Sequence, residues 1–211
     1  MQIENISKYI KKITRIENHP ILDIEFQNIP DFDHLFVESN FNRKNYGDLH
    51  VEAGRQELSR EHYDSQFISF EEEFLLEVDE IAKILLSLDT INYPIHSDLN
   101  IWYEKKIKSN RNRMALLTLD SPGFFMSWHL DNRLMIVSGI VNLQDNTEST
   151  IFQKNNTGWK DDNFVGNSIN LVHTAKKEKH TGTFWLNTID MWHAVPKLTT
   201  SRKILLTNVF F

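Results

Sequence analysis

The chain contains no cysteine. That absence excludes disulfides, thiolate zinc sites, Fe–S ligation and cysteine nucleophiles, and it removes the main sign of an oxidising compartment. Long apolar runs are missing too: no window approaches the roughly 18 apolar residues of a membrane span. The first residues, MQIENISKYIKKITRIE, are too charged for a signal peptide. There is no excess of positive charge, with 23 Lys and Arg against 29 Asp and Glu and a formal net charge of −6. Such a balance argues against tight, non-specific nucleic-acid binding. The expectation is a soluble, cytoplasmic protein with no membrane segment and no nucleic-acid partner.

What is present is enough for a core. Of 211 residues, 40% are hydrophobic, and 14 Phe and 5 Trp supply large packing units. The chain reads as a single domain over 1–211, with residues 1–100 as helical and loop support and 101–211 as a β-rich core. In the first part, Ile3, Ile6, Ile10 and Ile13 stand close to helical spacing and predict a short amphipathic helix over 3–17. ILDIEF at 21–26 reads as a strand, the segment after Pro30 as a helix start, and 39–66 as long loops. A stronger helix is predicted from about Phe70 to Leu88, with Ser69 as N-cap and Phe74, Val78, Ile81, Leu85 and Leu88 along one side.

Beyond residue 100 the period changes. MALLTL, FFMSWH, LMIVSGIVNL, STIFQ, SINLVH, GTFWL, MWHAV and RKILLTNVFF are eight short β-rich runs separated mostly by Gly, Pro, Asn and Asp. Without regular intervening helices, they predict a sandwich or jelly roll rather than βαβ units. In the last run Ile204, Leu206 and Phe210 alternate with Leu205, Val209 and Phe211, so both faces are apolar. A simple two-layer sandwich needs only one apolar face per strand. The N-terminal helices are therefore expected on the outer face of that strand.

Within FFMSWHLDN, residues 124–132, His129 and Asp131 share one face of an extended segment. A third ligand can come from His173, His180 or His193, and His193 is the most enclosed, in DMWHAVP. Two imidazoles and a carboxylate suit a facial triad that leaves positions open on Fe(II); zinc accepts the same set. Arg202 starts the last strand on the side of Ile204 and Leu206. A guanidinium facing a sandwich interior needs a partner, and a ligand carboxylate matches its planar fork. Taken singly, each of these residues has a plainer reading as a surface pair, a core histidine or a solvated arginine. Trp102, Tyr103 and KKIKSNRNR at 105–113 read as a loop before the core rather than a phosphate-binding surface.

HLD at 129–131, His193 and Arg202, in that order and each on a predicted strand, resemble the Fe(II)/2-oxoglutarate-dependent dioxygenases, particularly the prolyl-hydroxylase-like branch. The resemblance covers roughly residues 100–211. It implies a mainly β, double-stranded β-helix core (jelly roll, cupin-like). His129, Asp131 and His193 would hold Fe(II), and Arg202 would grip the distal carboxylate of 2-oxoglutarate. O2 would be the oxidant, and the activity hydroxylation of a C–H bond in a peptide or protein side chain or a small amino-acid-like molecule. Relatives often carry tyrosines that assist the co-substrate or line the pocket. The nearest positions here are Leu119 and Asn142, and Asn142 keeps a hydrogen-bonding group for the co-substrate. The other readings are a cupin-like metalloenzyme that uses no keto acid and a non-enzymatic jelly-roll binding or assembly protein.

Overall fold

The computed structural model describes residues 2–4, 7–43, 54–88, 112–131, 135–154, 171–187 and 191–210. Among them are thirteen strands and one α-helix: β1 (Gln2–Glu4), β2 (Ile10–Arg15), β3 (Ile21–Phe26), β4 (Phe41–Arg43), β5 (Arg55–Leu58), α1 (Ser65–Ser87), β6 (Asn112–Asp120), β7 (Met126–His129), β8 (Met135–Asn142), β9 (Ile151–Lys154), β10 (Leu171–Thr174), β11 (Thr181–Leu186), β12 (Met191–Val195) and β13 (Arg202–Phe210). They form two antiparallel sheets, ordered β1-β2-β3-β11-β8-β13-β6-β5-β4 and β10-β9-β12-β7. The last eight strands divide between the sheets as a jelly roll requires, β6, β8, β11 and β13 in one and β7, β9, β10 and β12 in the other, with the chain changing sheets at every step except β9 to β10. All eight runs read from the sequence fall on these eight strands.

The N-terminal expectation needs correction. Residues 10–15 are strand β2, not helix, and pair with β3; residues 2–4 are β1. The helical spacing has a physical source. Register shifts between Ile10 and Lys12, where an extra residue faces Phe26 and Glu25. Such a bulge resets the alternation of a strand, so Ile10 and Ile13, three apart, both enter the core. The segment after Pro30 gives only 3-10 turns at Asp33–Leu35 and Glu38–Asn40. Within 39–66, β4 and β5 extend the large sheet beyond β6. The N-terminal part therefore widens the sheet at both edges rather than adding several helices.

Helix α1 covers the outer face as expected, but starts earlier. Its N-cap is Asp64, whose side chain accepts from Phe67 N at 2.7 Å, and the earlier start adds Phe67 to the buried side beside Phe70. Phe74, Val78, Ile81 and Leu85 pack in one cluster with Leu205 and Val209 of β13, Ala115 and Leu117 of β6, and Phe184 of β11. Arg113 pins the helix to β6, its Nη1 donating to Asp79 Oδ2 at 2.9 Å and Leu75 O at 3.1 Å. Gly139 in β8 permits this packing: a Cβ there would lie 2.3 Å from the Phe184 ring. Leu119 belongs to this outer face, half-buried against the helix-side cluster, and so points away from the space between the sheets. That space is lined by the opposite set on β13: Leu206 and Asn208 on the wall of a cavity, with Ile204 in a second buried cluster beside it.

Candidate metal centre

His129 and His193 face each other directly across the β7–β12 pair. Their rings are 4.2 Å apart between centroids, and both are buried. Asp131, just beyond β7, closes the set: its Oδ1 is 3.4 Å from His193 Nε2 and 4.0 Å from His129 Nε2. One ligand atom from each residue lies within 4.8 Å of the others, which is the spacing of groups that can share one ion. The structure thus brings His129, Asp131 and His193 together. His173 instead bonds Asp23 at 3.0 Å, and His180 sits in a turn at φ 60°.

The donor set is prepared for a cation. His129 Nδ1 lies 2.8 Å from the carbonyl of Ser127, so it carries the proton and leaves the Nε2 lone pair facing Asp131. Burial and the neighbouring His193 push His129 down to about 4, so it is neutral at ordinary pH. Burial opposes ionisation of Asp131, but His193, His129 and the Ser138 hydroxyl outweigh it and hold the carboxyl below the usual range. Ser138 Oγ donates to Asp131 Oδ2 at 2.6 Å and accepts from Asn187 Nδ2 at 2.9 Å. This chain fixes the carboxylate that faces two imidazoles. The outer wall is aromatic: Trp185 lies 4.9 Å from the His193 ring and Phe152 lies 5.9 Å from it.

The cluster lines a cavity of about 590 Å³ between the sheets, with Ser138, Ile140, Thr150, Trp185, Leu206 and Asn208 on its walls. Arg202 is buried on β13 as expected, but it has an internal partner. Its Nε and Nη2 donate to Asp120 Oδ2 at 3.0 and 2.7 Å. Arg55 approaches the same carboxylate, from Nε to Oδ1 at 2.6 Å and from Nη2 to Oδ2 at 2.8 Å. The arrangement follows from register: Asp120 on β6 is the cross-strand partner of both Arg202 on β13 and Arg55 on β5. Burial alone would raise Asp120, and the two guanidinia hold it below its ordinary value instead. Of the two arginines, Arg55 is on the cavity wall and Arg202 is not.

Asn142 lies on the same face of β8 as Ser138 and Ile140, but its amide is engaged elsewhere. Its Nδ2 donates to Lys176 O at 2.9 Å and Thr181 Oγ1 at 3.2 Å, and its Oδ1 accepts from Asn146 at 2.8 Å. It joins the 176–181 turn to the sheet and is not on the cavity wall. Sequence reasoning missed Asp120, Arg55, Ser138 and Asn187. Asp120 had a usable signal, since it directly follows MALLTL, which reads as a strand. Arg55 had none, lying in a segment read as loop.

No protein family and no curated protein matches the chain by sequence. Solved structures match its fold. One is a Pseudomonas putida prolyl-4-hydroxylase, 11% identical, with a TM-score of 0.55 over 93% of this chain and 95% of that one. Another is a prolyl hydroxylase from Trichoplax adhaerens in complex with a hypoxia inducible factor oxygen degradation domain peptide fragment, 11% identical, with a TM-score of 0.53 over 92% of this chain and 85% of that one. These matches agree with the jelly-roll reading made for residues 101–211, and they extend over most of the N-terminal part as well.

Proposed function

We propose that the chain is an Fe(II)- and 2-oxoglutarate-dependent oxygenase that hydroxylates a C–H bond. The observation that carries this reading is the convergence of His129, Asp131 and His193 inside a jelly roll of prolyl-hydroxylase type. The donor set suits a divalent ion: two imidazoles, one of them with its lone pair turned inward by a backbone carbonyl, and a carboxylate held ionised. When bound, iron supplies the O2 chemistry that couples oxidative decarboxylation of 2-oxoglutarate to hydroxylation. The protein's part is positional. His129, Asp131 and His193 would hold the ion, Ser138 and Asn187 fix the carboxylate, and Trp185 and Ile140 give the adjoining wall apolar surface. Arg202 would take the distal carboxylate of 2-oxoglutarate, for which its guanidinium must turn from Asp120 toward the cavity wall that Arg55 occupies. In its favour are its burial and a charge that is shared, since Asp120 alone neutralises one of the two guanidinia it meets. The acceptor is a peptide or protein side chain, as the Trichoplax complex favours, or a small amino-acid-like molecule.

One observation favours a second reading. Because Asp120 already pairs Arg202, a cupin-like metalloenzyme that uses no keto acid would also leave that arginine satisfied. Anaerobic titration of the purified chain with Fe(II) and then 2-oxoglutarate separates the two. The oxygenase reading expects a visible charge-transfer band that needs both additions and is lost in His193→Ala. Iron binding without any band on adding 2-oxoglutarate would select the second reading.

A further inference from the structure

The cavity beside the metal-type cluster presents a cation and an anion from one strand. Arg55 and Glu57 both line it. As residues i and i+2 of β5 they project from the same face, with Cα atoms about 7 Å apart. Asp120 grips Arg55 through Nε and Nη2, and the Phe124 ring lies 4.8 Å beneath the guanidinium, so its plane is fixed in direction. The rest of the wall is mostly apolar, and three of the chain's five methionines, Met114, Met126 and Met135, lie on it. Methionine walls adapt to flexible aliphatic groups better than rigid ones do.

We propose that the acceptor bound in this cavity is a free α-amino acid with an aliphatic side chain. Its carboxylate meets Arg55, its ammonium meets Glu57, and its side chain lies along the methionine wall toward His129 and Asp131. The inference rests on the oxygenase reading for the reaction and names the substrate class of that site. An α-amino acid carries both charges on one carbon, matching two head groups that leave one strand face. The interior of a peptide carries neither. A cavity of about 590 Å³ falls within the range of small-molecule sites and has room for a co-substrate and an amino acid together.

The test uses the full chain loaded with zinc, an inert stand-in for iron, in the presence of 2-oxoglutarate. L-leucine, L-isoleucine, L-valine and L-methionine are screened by thermal shift, and binding of the best is measured by calorimetry beside its N-acetyl and amide derivatives. At least one amino acid should raise Tm. Removing either charge from it should weaken binding roughly ten- to hundredfold, as for loss of a charge-assisted hydrogen bond. Glu57→Gln should weaken the parent amino acid but leave its N-acetyl derivative unchanged, and Arg55→Lys should behave likewise toward the amide. The inference is overturned if none of the four binds, or if the derivatives bind as tightly as the parent. Titration of 2-oxoglutarate on the same sample without amino acid separates the two readings. If it binds while no amino acid does, only the substrate class fails. If amino acids bind while 2-oxoglutarate does not, the oxygenase reading fails and the amino-acid site stands.

Discussion

Arg202 donates through both Nε and Nη2 to Oδ2 of Asp120, the residue directly across from it on the neighbouring strand. The same carboxylate, wholly buried, also receives Arg55. Three buried charges in register across β5, β6 and β13 are costly to desolvate, so their value depends on every partner being present.

Removing the central anion should therefore cost more than removing either cation. Asp120→Asn leaves two buried guanidinia facing a neutral amide, and a loss of about 3–5 kcal/mol is expected. Arg202→Ala should cost less, because Asp120 keeps two bonds from Arg55. Urea denaturation of both variants checks the order. Equal losses would show that Asp120 does not hold the cluster together.

The outer face offers a cleaner packing test. Phe74 and Leu85 are fully buried between α1 and the large sheet. Phe74→Ala should cost about 3–5 kcal/mol and Leu85→Ala about 2–5 kcal/mol. Denaturation curves within error of wild type for both would place the helix elsewhere.

The sequence carried the jelly roll because each of its strands declares itself locally, by alternation and by the turn residues between. It carried α1's position because β13 is apolar on both faces, through Leu205 and Val209 on one side and Ile204 and Leu206 on the other. Two things were not local. The bulge at Ile10–Lys12 gave a strand the spacing of a helix, which no window of sequence can distinguish. The partner of Arg202 was hidden by distance, since Asp120 lies 82 residues away and meets it only once β6 and β13 are in register. His129, Asp131 and His193 were legible because i,i+2 geometry and an enclosing aromatic run survive folding unchanged. Ser138 and Asn187 were not, because a serine and an asparagine carry no signal until the carboxylate they hold is placed.

His129 sets a pH dependence for the metal-free protein. Its value is lowered in the folded state to about 4 from an ordinary 6.5, because burial and His193 disfavour the charged ring. The unfolded chain therefore binds the proton more tightly. Stability from this residue is complete above pH 6.5 and is lost as pH falls toward 4, by about 3 kcal/mol in all. Asp131 is also lowered, so its contribution holds through this window and declines only below the ordinary carboxylate range. Urea midpoints of chelator-treated protein should fall between pH 6.5 and 4.5, and the slope should shrink in His129→Gln. A flat profile over that window would mean that the imidazole is not buried as described.

Ser138 gives the last test, because it touches the cluster without being a ligand. Its hydroxyl donates to Asp131 Oδ2 and accepts from Asn187, so Ser138→Ala removes both bonds while sparing His129, His193 and the carboxylate itself. Residues that orient a ligand in this way typically contribute ten- to hundredfold to metal affinity, and a loss of roughly that size is expected. Asn187→Ala should show a smaller loss in the same direction, since it acts on Asp131 only through Ser138. Competition with a zinc chelator measures both affinities, and circular dichroism confirms the fold. Unaltered zinc affinity in Ser138→Ala would mean that Asp131 is positioned by the backbone alone, and the hydroxyl chain would then have no part in holding the ion.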